Sequence, residues 1–304
     1  MAQKVKWHRE FEAELLKVMK HDMGRGLLEE LPDVDLEAVA EDLAEAKRVL
    51  ILTGFPVRCE DGFRGETDGP PGATNLAAAL VACGCQVRIV TDEPSYPLLQ
   101  ASTALRVPKA QVFCVSGRQS AALAAEWVDR FQPTHVISLE RPGMSDDGHY
   151  YNMRGKVIDD MVTDTEPFFQ EARHYGAHTI AIGDGGNELG MGTFHKQVVN
   201  HVPRGALICA HQGADWTLAS GISNWWGWGI AAMLSVKKDK LLLPTIEEER
   251  ELLKTIVEAG AVDGCTARRE MTVDNMDLES YLDILRQVRC LTIGEIKKIH
   301  WRLR

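Results

Sequence analysis

The sequence predicts an α/β protein with a doubly wound, mostly parallel sheet, helices on both faces, and helical additions at its N- and C-terminal ends. The first observation is a series of short, almost continuous apolar runs rich in β-branched residues. Such runs are typical of strands buried on both faces of a parallel sheet. The predicted strands are 48–53, 86–91, 110–115, 134–139, 178–182 and 206–210.

The second observation is that helical segments lie between most of these strands. Alternating strands and helices predict right-handed crossovers and therefore a doubly wound sheet. The predicted helices are 74–83, 96–105, 118–131 and 163–175. We treat residues 1–304 as one α/β domain, with 1–46 as a helical N-terminal extension and 245–304 as an all-helical C-terminal part.

Composition excludes several classes of function. The chain has 34 basic and 44 acidic residues and a net charge of −10, whereas nucleic-acid binding needs a basic surface. A small acidic substrate needs only a local positive patch or a metal, so it remains an expected partner. The 7 cysteines form no CxxC pair, which argues against a zinc ribbon.

The sequence also predicts where the protein is located in the cell. The charged N-terminus resembles neither a signal nor a transit peptide, and no apolar run reaches the roughly 18 residues of a membrane span. We therefore expect a cytoplasmic protein with no membrane partner. The sequence is compatible with a homo-oligomer and does not fix the oligomeric state.

The third observation is that the loops before and after the predicted strands differ in length and composition. Loops that enter strands are short, whereas those that leave them are long, glycine-rich and acidic. In open parallel sheets, ligands bind beyond the carboxyl ends of the strands. We therefore expect one site, built from the loops 54–72, 140–155, 183–192 and 211–227.

The loop 183–192 carries the sharpest signal. Asp184, Asn187 and Glu188 follow a predicted strand directly, and such carboxylate and amide oxygens suit Mg²⁺ or Mn²⁺. The loop is not a dinucleotide fingerprint, because that pattern needs glycine where Glu188 stands. The alternative is a glycine-rich turn that Asp184 only caps.

The loop 54–72 adds two acidic candidates. Glu66 and Asp68 precede a helix, where free N–H groups favour an anion, and we predict both as metal ligands. Gly69 and Gly72 predict a backbone that approaches the substrate closely. The alternative is that Asp68 only caps the helix. From the last loop, Asn224 is the predicted polar contact to substrate.

The loop 140–155 supplies candidates for proton transfer and substrate binding. Glu140 stands at the strand end and could complete the metal site or act as a base. His149 and Lys156 could handle protons. Arg154 could hold a substrate carboxylate through two hydrogen bonds, and Asn152 is predicted beside it.

Several strings in these loops resemble those of the D-glutamate cyclase-like family. The resemblance runs from about residue 50 to 236 and into the helical tail. The strings are GETDGPPGA at 65–73, ERPG at 140–143, YYNMRG at 150–155, IGDGGNELGMG at 182–192 and SNWWGWG at 223–229.

This resemblance implies a lyase that dehydrates D-glutamate to 5-oxo-D-proline within one molecule. Together with the loops, it leads us to expect a divalent cation on Glu66, Asp68, Asp184 and Glu188. Arg154 would then hold the α-carboxylate. Two alternatives remain: a metal-dependent phosphohydrolase or sugar-phosphate enzyme, and a non-catalytic protein that binds an amino acid for regulation.

Overall fold

A computed structural model describes residues 7–117 and 121–302 of the chain. Its α-helices are α1 (Arg9–Met19), α2 (Leu36–Ala44), α3 (Pro70–Ala82), α4 (Tyr96–Arg106), α5 (Ala121–Phe131), α6 (Glu166–His174), α7 (His195–His201), α8 (Gly205–Ile208), α9 (Asn224–Lys238), α10 (Ile246–Glu258) and α11 (Leu278–Arg302). Its strands are β1 (Arg48–Thr53), β2 (Pro56–Cys59), β3 (Gly62–Gly65), β4 (Gln86–Asp92), β5 (Gln111–Val115), β6 (His135–Leu139), β7 (His178–Gly183), β8 (Trp216–Ala219), β9 (Thr272–Val273) and β10 (Met276–Asp277).

The central sheet has six strands in the order β5-β4-β1-β6-β7-β8, and every neighbouring pair is parallel. The chain first winds outward from β1 to β5 and then returns to wind outward from β6 to β8. The direction of winding therefore changes between β1 and β6, which is where ligands bind in such sheets. The predicted doubly wound α/β fold is confirmed.

The predicted sixth strand at 206–210 is wrong. Residues Gly205–Ile208 form the short helix α8, and the sixth strand is β8, inside the segment predicted as the last loop. Ile208 and Cys209 are buried in a side cluster with Val198, which explains why the run is apolar without being a strand. A short apolar run cannot by itself distinguish a buried strand from a buried helix.

The terminal regions are less regular than predicted. Between α1 and α2 the chain contains only a short 3₁₀ turn, Leu28–Glu30. The all-helical C-terminal part is also wrong, because the β9–β10 hairpin separates α10 from α11. Its turn residues Asp274 and Asn275 have positive φ angles of 51° and 64°, a conformation that Asp and Asn tolerate better than most residues.

Two further boundaries differ from the predictions. The predicted loop 54–72 contains the β2–β3 hairpin, and α3 begins at Pro70 instead of residue 74. Proline is well suited to the first helical positions, where no N–H donor is needed. The predicted start of α5 at Arg118 lies outside the described residues.

Apolar layers cover both faces of the sheet. One face packs against a core that includes α1, α2, α3, α9 and α11 and buries Trp225, Trp226 and Trp228 completely or almost so. The other face packs against α5 and α6, where Phe168 and Phe169 are buried. None of the described helices is both long and apolar enough to cross a lipid bilayer.

Candidate active site

Three carboxyl groups meet where the direction of winding changes. Glu140 follows β6, Asp184 follows β7, and Asp68 lies between β3 and α3. Carboxylate oxygens of the three residues lie within 4.8 Å of one another, and all three residues are buried. The structure thus brings together residues from three of the predicted loops.

Two residues that sequence reasoning missed join this cluster. The guanidinium of Arg25, from the segment between α1 and α2, pairs with Asp184 and Asp274. Asp274 comes from the turn of the β9–β10 hairpin. The available signal was the Gly24-Arg25-Gly26 string, in which both glycines have positive φ angles and set the backbone around the arginine.

The cluster carries more negative than positive charge. Burial, together with Asp274, Asp68 and Asp184, raises the pKa of Glu66 well above its usual range. The pKa values of Asp68 and Glu140 are raised in the same way, first by burial and then by Asp184. Burial raises the pKa of both Asp184 and Asp274 to about 6, although Arg25 opposes the shift. These groups therefore need protons or an additional cation near neutral pH.

Asp68, which precedes α3, caps the N-terminus of α9, and Asn224, the first residue of α9, caps the N-terminus of α3. Asp68 Oδ1 accepts hydrogen bonds from the backbone N–H of Gly69 at 2.9 Å and of Asn224 at 2.8 Å, and Oδ2 accepts from Ser223 at 2.9 Å. Asn224 Oδ1 in turn accepts from Gly69 at 3.0 Å and Gly72 at 2.7 Å. Asp68 therefore caps α9 instead of α3, the helix that follows it. Both helix N-termini face the cluster, where their dipoles favour negative charge.

Glu188 shapes the loop that presents Asp184. Its Oε1 accepts from the backbone N–H of Asp184 at 3.1 Å and of Gly185 at 2.7 Å, and its Oε2 accepts from Gly186 at 2.7 Å. Gly186 has a φ angle of 101°, which favours glycine. Glu188 thus fixes the backbone conformation of the loop. Its role as a metal ligand stays a prediction.

Glu140 occupies a strained position at the end of β6. Its φ angle is 46°, which is uncommon for a residue with a side chain and typical of functional sites. Its backbone N–H donates to Ile182 O at 3.1 Å, and its carbonyl accepts from Gly54 at 3.0 Å. Its Oε2 accepts from the Ser223 hydroxyl at 2.5 Å. This network holds the side chain of Glu140 at the cluster.

The cluster opens into a cleft of about 530 Å³, a volume suited to a small molecule. Its walls combine Arg25 and acidic residues of the cluster with three further basic residues, Arg58, Arg154 and Lys156. All three basic residues are exposed. Of the predicted site residues, the cleft is lined by Glu66, Glu140, Asn152, Arg154, Lys156, Asp184, Asn187 and Glu188.

The remaining predicted residues lie apart from the cleft lining. Asp68, Gly69, Gly72 and Asn224 are buried, where they join α3 to α9. His149 is exposed, and its Nδ1 lies 2.7 Å from Asp159 Oδ2. The structure therefore does not bring His149 to the carboxylate cluster.

Two predicted substrate contacts already have protein partners. Asn152 Oδ1 accepts from the backbone N–H of Arg154 and of Lys156, at 3.0 Å each. Asn187 Nδ2 donates to Tyr151 O at 2.8 Å. Both side chains hold the walls of the cleft in place, and direct contact of either with substrate stays a prediction.

A family model described as "D-glutamate cyclase-like, C-terminal" matches residues 15–289. The chain belongs to this family. It is also 33% identical over 226 residues to human "D-glutamate cyclase, mitochondrial", an alignment that covers 70% of this chain and 36% of the human protein. The chain thus spans about a third of that relative's length. The predicted family is confirmed, whereas the cytoplasmic location stays a prediction beside a mitochondrial relative.

The cluster of this D-glutamate cyclase-like chain has the donors that a hard divalent cation prefers. Asp68, Glu140 and Asp184 all offer carboxylate oxygens, the ligands typical of Mg²⁺ and Mn²⁺ sites. Asp184 Oδ2 is buried without a hydrogen-bond partner in the described part of the chain, and Arg25 offsets only one of the negative charges. A bound cation would satisfy both the free oxygen and the charge.

Proposed function

We propose that this protein cyclises D-glutamate to 5-oxo-D-proline with release of water. The observation that carries the proposal is the cleft in which buried carboxyl groups with raised pKa values face exposed basic residues. An amino acid with two carboxylates and one ammonium group has charges that complement both kinds of wall. The name of the human relative points to the same substrate.

The reaction needs two changes in protonation. The amine nitrogen forms a bond to the γ-carboxyl carbon, and one carbon–oxygen bond of that carboxyl group breaks to release water. The ammonium nitrogen loses two protons in becoming the amide N–H, the first of them before it attacks, and the departing carboxylate oxygen gains two in becoming water. Carboxyl groups whose pKa values lie closer to neutral pH can exchange protons in both directions.

Arg154 and Lys156, which line the cleft and are exposed, would bind the α-carboxylate at its rim. Arg154 Nη2 donates to Cys265 O at 3.1 Å, which leaves further N–H groups for substrate. With this end fixed, the amine and γ-carboxyl group of the substrate reach the carboxyl cluster. Binding the substrate in a folded conformation lowers the entropic barrier to ring closure, an effect worth roughly 7–11 kcal/mol in oriented reactions.

Glu66 is our candidate for the group that takes the ammonium proton. It lines the cleft, is buried, and has a raised pKa. It does not belong to the group of three carboxylates formed by Asp68, Glu140 and Asp184. Of the two bases predicted from sequence, Glu140 lines the cleft and is the second candidate. A divalent cation on Asp68 and Asp184, with Glu140 as a third ligand where Glu66 is the base, would polarise the γ-carboxyl group as a Lewis acid.

The test is to incubate the purified protein with D- and L-glutamate, with EDTA or with MnCl₂, and to separate the products by chiral chromatography. We expect 5-oxo-D-proline from D-glutamate, with a rate that EDTA lowers and Mn²⁺ restores. Release of phosphate from a generic ester without cyclisation would support the phosphohydrolase alternative. Binding of glutamate without turnover would support the regulatory alternative.

A further inference from the structure

A second cluster of side chains that could bind a metal lies at the amino ends of the strands, opposite the carboxyl ends that form the candidate active site. His135 and His178 are the first residues of β6 and β7 and are direct partners in the register of the sheet. Asp42, near the end of α2, lies against both of them. Because these strands are parallel, the two imidazoles emerge side by side at the amino ends of the strands.

Of two ligand–ligand distances in this cluster, one already matches a transition-metal site and the other is a direct hydrogen bond that would have to lengthen. His178 Nδ1 lies 2.5 Å and His135 Nε2 3.5 Å from Asp42 Oδ1. Ligand atoms of the three residues all lie within 4.8 Å of one another. Zinc–ligand bonds of about 2.0–2.2 Å place neighbouring ligand atoms of a tetrahedral site roughly 3.3–3.6 Å apart. Small side-chain movements would therefore complete a site.

Buried atoms without partners point to a missing ligand. His135 is only 4% exposed, and its Nε2 has no hydrogen-bond partner among the described residues. Asp42 Oδ2 is likewise buried without one. Buried polar atoms are nearly always satisfied, so two such atoms in one cluster need an explanation. A cation between them would satisfy both.

The surroundings of His135 resemble those of a metal-bound histidine. Its other ring nitrogen, Nδ1, lies 3.0 Å from Thr134 Oγ1, which holds the imidazole plane while Nε2 points towards Asp42. Histidine ligands are usually oriented in this way by a hydrogen bond to the second nitrogen. The side chain of His178 is 57% exposed, which gives an ion a path from solvent and room for a water ligand.

We propose that Asp42, His135 and His178 form a zinc-type metal site that fastens α2 to the amino ends of β6 and β7. Two imidazoles with one carboxylate favour Zn²⁺ and similar ions, whereas the all-oxygen cluster at the carboxyl ends favours Mg²⁺ or Mn²⁺. Each of these two strands thus has a metal-binding side chain at both ends. The strand length of about 3.3 Å per residue separates the two sites by roughly 17 Å.

The test compares zinc binding in matched single-histidine variants. Wild type, His178→Ala and the control His174→Ala are stripped with a chelator, loaded with ZnCl₂ and freed of unbound zinc by gel filtration. His174 is also an exposed histidine and lies on α6. We expect His178→Ala to bind about one zinc ion fewer per chain than the other two proteins. The difference removes any contribution from cysteines.

Thermal unfolding and cobalt substitution provide independent readouts. Zinc should raise the melting temperature of wild type and His174→Ala but not of His178→Ala, because a ligand stabilises only the state that binds it. Co²⁺ should give visible absorption typical of imidazole ligands, and this absorption should disappear in Asp42→Asn and persist in Asp184→Asn. Equal zinc content and equal thermal shifts in His178→Ala and wild type would overturn the proposal, as would cobalt absorption that is unchanged in Asp42→Asn.

Discussion

Asp184 and Glu188 show how position decides the role of a carboxyl group. They belong to the same loop, but Glu188 uses both of its oxygens to accept backbone hydrogen bonds. Asp184 pairs with Arg25 through one oxygen, and its other oxygen is buried with no partner in residues 7–117 and 121–302. We therefore infer that Glu188 supports the loop, whereas Asp184 is available to a cation or a substrate.

Asp184→Asn should abolish cyclisation without unfolding the protein. The change keeps the size of the side chain but removes the charge, so we expect turnover to fall by about 100-fold or more. Burial raises the pKa of Asp184 to about 6, so a neutral side chain removes the cost of a buried charge; this gain offsets the lost ion pair with Arg25, and the melting temperature should stay nearly unchanged. Product formation is measured by chromatography and folding by circular dichroism.

Asp146→Asn is the matched control for this substitution. The Asp146 side chain is 74% exposed, and Asp146 is not among the residues that line the cleft. Its replacement should therefore leave turnover unchanged. Full activity in Asp184→Asn would show that this carboxylate has no part in the reaction.

The sequence could predict some of these residues and not others. Glu140, Asp184 and Asp68 follow or lie between strands whose ends converge, so their meeting followed from the predicted sheet. The partners Arg25 and Asp274 are 249 residues apart, and both lie in segments predicted as helical. No local pattern links them, because their contact depends on how the two ends of the chain fold over the sheet.

At the scale of elements, α3 and α9 cross so closely that glycine is required. A Cβ atom on Gly227 would lie 2.3 Å from the carbonyl oxygen of Gly72, and one on Gly72 would lie 2.7 Å from Asn224 Cα. These contacts are with backbone atoms, which cannot move aside easily. The close crossing is what allows Asp68 and Asn224 to cap each other's helices.

Gly227→Ala should therefore destabilise the protein by about 1–3 kcal/mol or more, the usual cost of overpacking a core. Gly294→Ala is the matched control, because Gly294 also lies in a helix and an added Cβ meets no atom of the described residues within 4 Å. That change should stabilise the protein by roughly 0.5–1 kcal/mol. Urea denaturation measures both. A loss of stability in Gly227→Ala no larger than that in Gly294→Ala would contradict the close crossing.

Five strands of the central sheet were predictable from their apolar runs, whereas β8 was not. The strands β1, β4, β5, β6 and β7 agree with the predictions to within a residue or so at each end. The strand β8 has only four residues and lies next to a longer apolar run that forms α8. Its position is decided by pairing with β7, a contact that a single sequence does not reveal.

Glu249 joins three helices and should make stability depend on pH. Its Oε2 accepts from Asn75 Nδ2 at 2.7 Å, and its Oε1 accepts from Tyr281 at 3.3 Å, so α10 contacts α3 and α11. Burial raises the pKa of Glu249 to about 7. The folded protein therefore holds a proton that the unfolded chain loses, and stability should fall as pH rises from about 4.5 to 7.

Glu249→Gln should remove this part of the pH dependence. Glutamine can accept from Asn75 and donate to Tyr281, so the contacts among the helices survive. At pH 8 the cost of ionising the buried glutamate is on the order of 3 kcal/mol, and the variant should be more stable than wild type by up to that amount. Chemical denaturation at pH 5 and pH 8 measures the effect. Parallel changes in both proteins would show that Glu249 is not responsible.

At the scale of the whole molecule, the two ends of the chain complete the site that the sheet begins. The sheet places Glu140 and Asp184 at its carboxyl edge, while Arg25 arrives from the N-terminal segment and Asp274 from the β9–β10 hairpin. Arg25 is thus a half-buried cation that connects both terminal regions to the centre. Although burial alone would lower its pKa, Asp184 and Asp274 raise it, so the guanidinium stays charged.

Arg25→Met should change turnover and metal binding in opposite directions. Methionine keeps much of the volume but removes the positive charge, so the carboxyl cluster should attract a divalent cation more strongly, by about tenfold or more. Turnover should fall because Asp184 and Asp274 are no longer held in place. Titration with Mn²⁺ measures affinity, and chromatography measures turnover. In the control Arg173→Met, which removes an exposed arginine paired with Asp215, neither quantity should change, and equal Mn²⁺ affinity in both variants would mean that Arg25 does not set the charge of the site.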